Sequence, residues 1–232
     1  MRGGGVAVFI RTVWLVVRKD LLIEIRSREI IYTTLFFAVS CVLVFAFGFV
    51  RDGRPVQDAA AGILWIAIAF SGTLALGRAF ERERQSETLR ALMMAPVARP
   101  ALYVGKLLGV LLLLAVVEAI IVPLVALMFQ APLFAYPLVT ASLLATGTIG
   151  FAAVGTLFAA MLVRARSRDV LLPILLYPIT IPVIIGGVRG TAALLQPDVD
   201  LTMATTWLAM LAFFDVVFIT LALWTFEPSM TE

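Results

Sequence analysis

The chain has 232 residues, 62% of them hydrophobic and only 14% charged, with a formal net charge of +3. Soluble domains carry about 25% charged residues, so this composition, with a mean hydropathy of +1.06, excludes a water-soluble globular protein. There is no histidine, which removes the commonest general base and metal ligand, and the single cysteine, Cys41, rules out an intrachain disulfide.

Several apolar runs are long enough to cross a hydrocarbon core of about 30 Å. Period-2 strands separated by turns are missing, which argues against an outer-membrane barrel. The expectation is an all-α membrane protein. In such a chain the pI near 9.4 reports topology rather than nucleic-acid binding. No short apolar core with a small-residue cleavage site opens the chain, so the N-terminus reads as mature protein.

Residues 1–29 form a segment of their own, with VAVFIRTVWLVVRKDLLIEIRSRE at 6–29. Its first apolar stretch, about a dozen residues interrupted by Arg11, is too short to cross. An interfacial helix is predicted, with Arg18, Lys19, Arg26 and Arg28 facing lipid headgroups. The alternative is an ordinary positively charged flank of the first span. A six-span transmembrane domain follows over 30–226, with spans at 30–50, 59–80, 101–129, 133–163, 170–188 and 204–226, then a tail at 227–232. The third and fourth spans exceed the ~20 residues a crossing needs, so they tilt or extend beyond the bilayer.

Between the second and third spans lies a charged island, FERERQSETLRALMMAPVARPALYVGK at 80–106, whose loop proper is 81–99. It carries Glu81, Arg82, Glu83, Arg84, Glu87 and Arg90. Leu89, Leu92 and Met93 fall at i, i+3 and i+4, an apolar stripe on a helix, with Glu83, Glu87 and Arg90 opposite. Ser86 suits an N-cap, and Pro96 stops the segment. The pattern predicts a short amphipathic helix along the membrane surface. Its stripe can enter a groove on a soluble partner while its charges set the register. The bland alternative is a solvated connector.

Two carboxyls lie within the spans. Glu118 is twelve residues past Lys106, about 18 Å along a helix, and Asp215 is central in the last span. Each charge at mid-bilayer costs about 2.5–3.5 kcal/mol on insertion scales, so both are expected to face protein or water. With no basic residue predicted at that depth, protonation or a hydrogen bond to Ser or Thr on another span is the economical solution. Two roles stay open, lining a substrate or proton path and joining two helices. Local motifs of an intramembrane aspartyl protease are lacking. In the fifth span Pro173, Pro178 and Pro182 each remove a helix hydrogen bond and predict a kink, suited to gating or merely static. RGTAALLQPDVDLT at 189–202 is expected to form a short re-entrant helix. Gly147, Gly150 and Gly155, with Ala152 and Ala153, and the Gly105-xxx-Gly109 pair permit close helix packing. Trp14, Trp65, Trp207 and Trp224 serve as interface anchors or packing residues.

With the N-terminus inside, the inner side holds fifteen Lys and Arg residues, and the outer side keeps three, Arg51, Arg54 and Arg189. The positive-inside rule then places both termini and the charged island in the cytoplasm.

The order of acidic cluster, short helix, proline and Gly105-Lys106 resembles the cytoplasmic loop of ABC exporter permeases. More narrowly, GILWIAIAFSGTLALGRAFERERQSETLRALMMAPVARPALYVGK (62–106) and LLPILLYPITIPVIIGGV (171–188) are similar to the permease of cytochrome c maturation, the haem exporter protein B (CcmB) family. The resemblance covers most of residues 10–225. It implies an ABC exporter permease-like fold in a bacterial inner membrane. It also implies a coupling helix, with Glu81, Glu83, Glu87, Leu89, Arg90, Leu92, Met93 and Pro96 meeting an ATPase. Where the family often has Gly before that helix, this chain has Glu87.

No Walker A pattern occurs, since Gly105-Lys106 lacks the earlier glycine and the following Ser or Thr. The chain is therefore expected to be a non-catalytic subunit, with ATP bound by a partner chain. The resemblance implies a CcmA-like ATPase, a second copy of this chain, and CcmC-like, CcmD-like and CcmE-like proteins as partners. No cofactor is expected on this chain. The resemblance implies that haem is handled by the complex; the absence here of the tryptophan-rich haem motif of the partner proteins, with zero histidines, argues against haem held on this chain by histidine ligation. Rival readings are an ABC permease for a lipid, drug or glycan, a non-transporting scaffold, or an intramembrane enzyme built on Glu118 and Asp215.

Overall fold

A computed structural model describes residues 3–51, 54–85, 99–165 and 167–229. These form seven α-helices: α1 (Gly3–Ser27), α2 (Glu29–Gly48), α3 (Ala60–Gln85), α4 (Arg99–Met128), α5 (Pro137–Met161), α6 (Arg168–Leu195) and α7 (Leu201–Ser229). The only strands among the described residues are a two-residue antiparallel pair, β1 (Val50–Arg51) and β2 (Arg54–Pro55), in the turn after α2. Helices α2 to α7 are all long and apolar enough to cross a membrane, as the hydropathy predicted. At 30 residues, α4 is about 45 Å long, well beyond a ~30 Å hydrocarbon core.

The N-terminal segment is one helix of 25 residues packed along α4. It ends at Arg28, whose left-handed φ of 54° turns the chain into α2. Arg28 makes no side-chain cap. Instead Ile31 N–H donates to Glu24 Oε1 at 2.8 Å, so a carboxylate of the preceding helix satisfies one of the open amides at the start of α2. Capping and turn together make α1 and α2 one elbow.

Helices α2, α3 and α4 pack together, as do α5, α6 and α7, and α3 joins the groups by touching α5 and α6. In α3 and α5, 67% of the most apolar window is buried, against 28% in α2 and 22% in α7. The parallel pair α3–α5 is therefore the centre of the bundle. Its seam alternates large and small residues. A Cβ at Gly147 would meet Trp65, one at Gly72 would meet Phe151, and one at Gly155 would meet Leu76. Small residues at these steps let the backbones approach closely, which drives helix association in a bilayer.

One expectation fails. No re-entrant helix forms over 189–202. Instead α6 runs unbroken from Arg168 to Leu195, and only a short link separates it from α7 at Leu201. Thr191, Ala193 and Leu194 are buried against the bundle, and Ala and Leu are among the strongest helix formers. The helix thus continues past Arg189 and Gly190, where hydropathy falls, until Pro197.

Candidate functional site

One end of the bundle carries the last turns of α3 and the first turns of α4, the two helices that flank the charged island. Glu81 and Glu83 fall in the final turns of α3. Glu87, Leu89, Arg90, Leu92, Met93 and Pro96 lie outside the described residues. The anchoring of the flanking helices is well defined. On the α4 side, Lys106 is 8% exposed, donates to Asp20 Oδ2 of α1 at 2.7 Å, and lies over the Phe80 ring of α3 at 5.8 Å. Asp20 also meets Lys19 at 3.2 Å. Three residues earlier, the Tyr103 hydroxyl donates to the Ala153 carbonyl of α5 at 3.0 Å, and its ring meets Phe226 of α7. On the α3 side, buried Arg168 at the start of α6 donates to the Gly77 carbonyl. Each helix flanking the island is thus tied to at least two others within one or two turns of its free end.

Sequence reasoning placed Lys106 and Arg168 in a topological tally and gave Asp20 no role. The available signal was Asp20, a lone acid directly after Arg18 and Lys19 in a helix with few acids.

Beside this end an open cavity of about 420 Å³ lies between α2, α3 and α6. Phe37, Phe70 and Tyr177 form an aromatic ladder along it, with ring centroids 6.3 and 5.8 Å apart. The Thr73 hydroxyl lies 3.2 Å from the Tyr177 oxygen, and Arg78 and Asp169 give the cavity a polar edge. Such a wall suits flat or amphiphilic apolar groups.

Glu118 and Asp215 stand on either side of α5. Thr148 of α5 donates to Glu118 Oε1 of α4, the inter-span hydrogen bond expected for a carboxyl at that depth. Asp215 of α7 is 8% exposed and packs against Gly150, where an added Cβ would lie 2.6 Å from Oδ1. That oxygen has no hydrogen-bond partner among the described residues. The two carboxyls meet α5 two positions apart, on different faces, and do not form a common site. Pro178 and Pro182 are exposed on α6, so neither is used for packing within the chain. The tryptophans divide. Trp14 and Trp224 are exposed, whereas Trp65 is buried, with its indole N–H donating to Thr191 Oγ1 of α6 at 3.0 Å.

Six long apolar helices with α3 and α5 at their centre, two of them firmly tied to their neighbours at one end of the bundle, define a multi-pass helical membrane protein of the permease type. The chain belongs to the CcmB protein family, which matches residues 11–231. It is 34% identical over 181 residues to heme exporter protein B of Paracoccus denitrificans, covering 76% of this chain and 82% of that protein. The protein of the same name from Rhodobacter capsulatus is 30% identical over 188 residues, covering 80% of this chain and 86% of that one. The one from Pseudomonas aeruginosa is 27% identical over 182 residues, covering 78% and 81%. The resemblance read from 62–106 and 171–188 is borne out by the family match.

Proposed function

We propose that this chain is the membrane permease subunit of a haem-exporting ABC complex that serves cytochrome c biogenesis, powered by ATPase subunits made as separate polypeptides. The observation that carries this reading is the match to relatives named heme exporter protein B across most of the chain. The anchored end of the bundle supports it. A loop that receives mechanical work from an ATPase must pass it to the spans without slack. The flanks of 86–98 are fastened through Arg168–Gly77, Lys106–Asp20 and Tyr103–Ala153.

In this reading both termini and the 81–99 loop face the cytoplasm, and α1 lies at the membrane surface. Leu89, Leu92 and Met93 enter a groove on the ATPase, with Glu81, Glu83, Glu87 and Arg90 setting the register and Pro96 ending the helix. Two copies of this chain pair over two ATPases. Closure of the ATPases on ATP moves α3 and α4 first, then α5 and α6 through the α3 seam. The stroke exports haem or releases a haem chaperone from a partner membrane protein, with no catalytic residue in this chain. Glu118 joins α4 to α5, and Asp215 is the better candidate for a pathway role because its buried Oδ1 has no hydrogen-bond partner among the described residues.

Deletion of the gene followed by an assay of holo-cytochrome c tests the reading. Loss of covalently haem-bearing cytochrome, restored by the wild-type chain, is the expected result. Normal holo-cytochrome levels would remove the haem pathway. An unaltered yield of co-purified ATPase from a variant carrying Asp at 89, 92 and 93 would remove the docking helix.

A further inference from the structure

Helix α1 sorts its charges by face. Its only acids are Asp20 and Glu24, and both turn toward the bundle. Asp20 pairs with Lys106 of α4 at 2.7 Å, and buried Glu24 accepts from the Ile31 amide. Two of the basic residues that the sequence set against headgroups are drawn in as well. Lys19 meets Asp20 at 3.2 Å, and Arg28 folds back on the Ile25 carbonyl and the Tyr32 hydroxyl at the elbow. Arg11, Arg18 and Arg26 are exposed, and none of them makes a hydrogen bond or an ion pair among the described residues.

The apolar residues of that outward face share it with the arginines. Arg11, Leu15, Arg18 and Leu22 follow one another at i, i+4, i+7 and i+11, which is one line along a helix. Ile10, Trp14, Leu15, Leu22 and Ile25 are each more than half exposed, while Val16 on the opposite side packs against Gly105 of α4. Water does not suit a row of large bare apolar side chains. Hydrocarbon does not suit guanidinium groups that lack a counter-charge. The headgroup layer of a bilayer accepts both, since arginine stems lie along apolar surface while their heads reach phosphate, and indole favours that depth. From Arg11 to Arg18 is about 10 Å of helix, with no acid between them, so charge complementarity calls for an anion from outside the chain.

We propose that the outward face of α1 is a binding surface for anionic phospholipid headgroups. Arg11 and Arg18 make the two main contacts, and Trp14, Leu15 and Leu22 sit among the upper parts of the acyl chains. The proposal rests on the placement of α1 at the membrane surface and is independent of the cargo. Through Val16–Gly105 and Asp20–Lys106, both within the first turns of α4, lipid held on α1 steadies one flank of the charged island.

The test follows the lipid beside α1 in the full chain. In a Cys41→Ser background, Leu15→Cys carries a bimane fluorophore, and the protein is reconstituted in phosphatidylcholine nanodiscs. These hold a small fraction of either phosphatidylglycerol or phosphatidylcholine with a nitroxide at the headgroup end of an acyl chain. Quenching by the phosphatidylglycerol probe is expected to exceed quenching by the phosphatidylcholine probe at least threefold, and high salt should erase the excess. Arg11→Gln with Arg18→Gln should also erase it, whereas Arg11→Lys with Arg18→Lys keeps the charge and should keep the excess. Equal quenching by the two probes with both arginines intact would overturn the proposal while leaving α1 at the membrane surface. Quenching by neither probe would overturn the placement of α1 as well, and would give this face to an acidic soluble partner. An excess that survives the two Gln substitutions would overturn the proposal by assigning the selectivity to other basic residues.

Discussion

Trp65 fills a slot that two glycines on different helices hold open. A Cβ at Gly147 would overlap its ring at Cη2, and one at Gly187 would overlap it at Cε2. The indole N–H is also committed to Thr191 Oγ1. Gly187→Ala is therefore expected to destabilise the chain by about 1–3 kcal/mol, the usual cost of overpacking a filled core. Thermal unfolding of the detergent-solubilised protein measures it. The same substitution in a Trp65→Leu background should cost less than half as much, because the smaller side chain yields the space. An undiminished penalty would assign the strain to another neighbour. The small residues of α5 were legible in the sequence as packing positions. Their partner was not, because helical periodicity shows which face packs but not against which residue of which distant helix. Thr148 illustrates the same limit. A hydroxyl partner for Glu118 could be expected on polarity alone, but only the fold selects α5.

At the scale of elements, the α1–α4 contact includes the Asp20–Lys106 ion pair and a line of close packing. A Cβ at Gly105 would meet Val16 at 2.8 Å, and one turn of α1 later Asp20 takes Lys106. Removing the acid takes from a buried lysine its ion pair to α1, and breaking fully buried pairs costs about 3–5 kcal/mol. Asp20 is 23% exposed, so the lower end of that range is the expectation for Asp20→Ala. Amide exchange in α1 should accelerate while the α5–α7 group keeps its protection, since those helices do not depend on α1. The charge swap Asp20→Lys with Lys106→Asp should restore at least half of the lost protection. Unchanged exchange in α1 after Asp20→Ala would show that apolar packing alone holds the helix. Helix extents were legible because long apolar runs bounded by charge or proline admit few alternatives. The exception, the tail of α6, arose because hydropathy drops at Arg189 while helix propensity and burial do not.

For the whole molecule, one end of the bundle carries the α3 and α4 flanks of the charged island and the α5–α6 link, and the other carries the β1–β2 turn, the 129–136 link and the 196–200 link. The proposed cytoplasmic placement of the first end rests on the split of fifteen basic residues against three and the positive-inside rule. Charge bias is a statistical consequence of membrane insertion, and the fold itself is compatible with either orientation, so this assignment is tested separately. In a Cys41→Ser background, single cysteines at Gln57 and Asp198, both exposed at the second end, should react with a membrane-impermeant maleimide in cells whose outer membrane has been permeabilised. Single cysteines at Ser167 and Ser229 should react only after the cytoplasmic membrane is also breached. The Cys41→Ser parent, which has no cysteine, should stay unlabelled in both conditions. The reverse pattern, with Ser167→Cys open to the reagent and Gln57→Cys silent, would turn the 86–98 loop away from ATP. The proposed docking of an ATPase would then fall whatever the family likeness, because a coupling helix on the wrong side of the membrane has nothing to couple to.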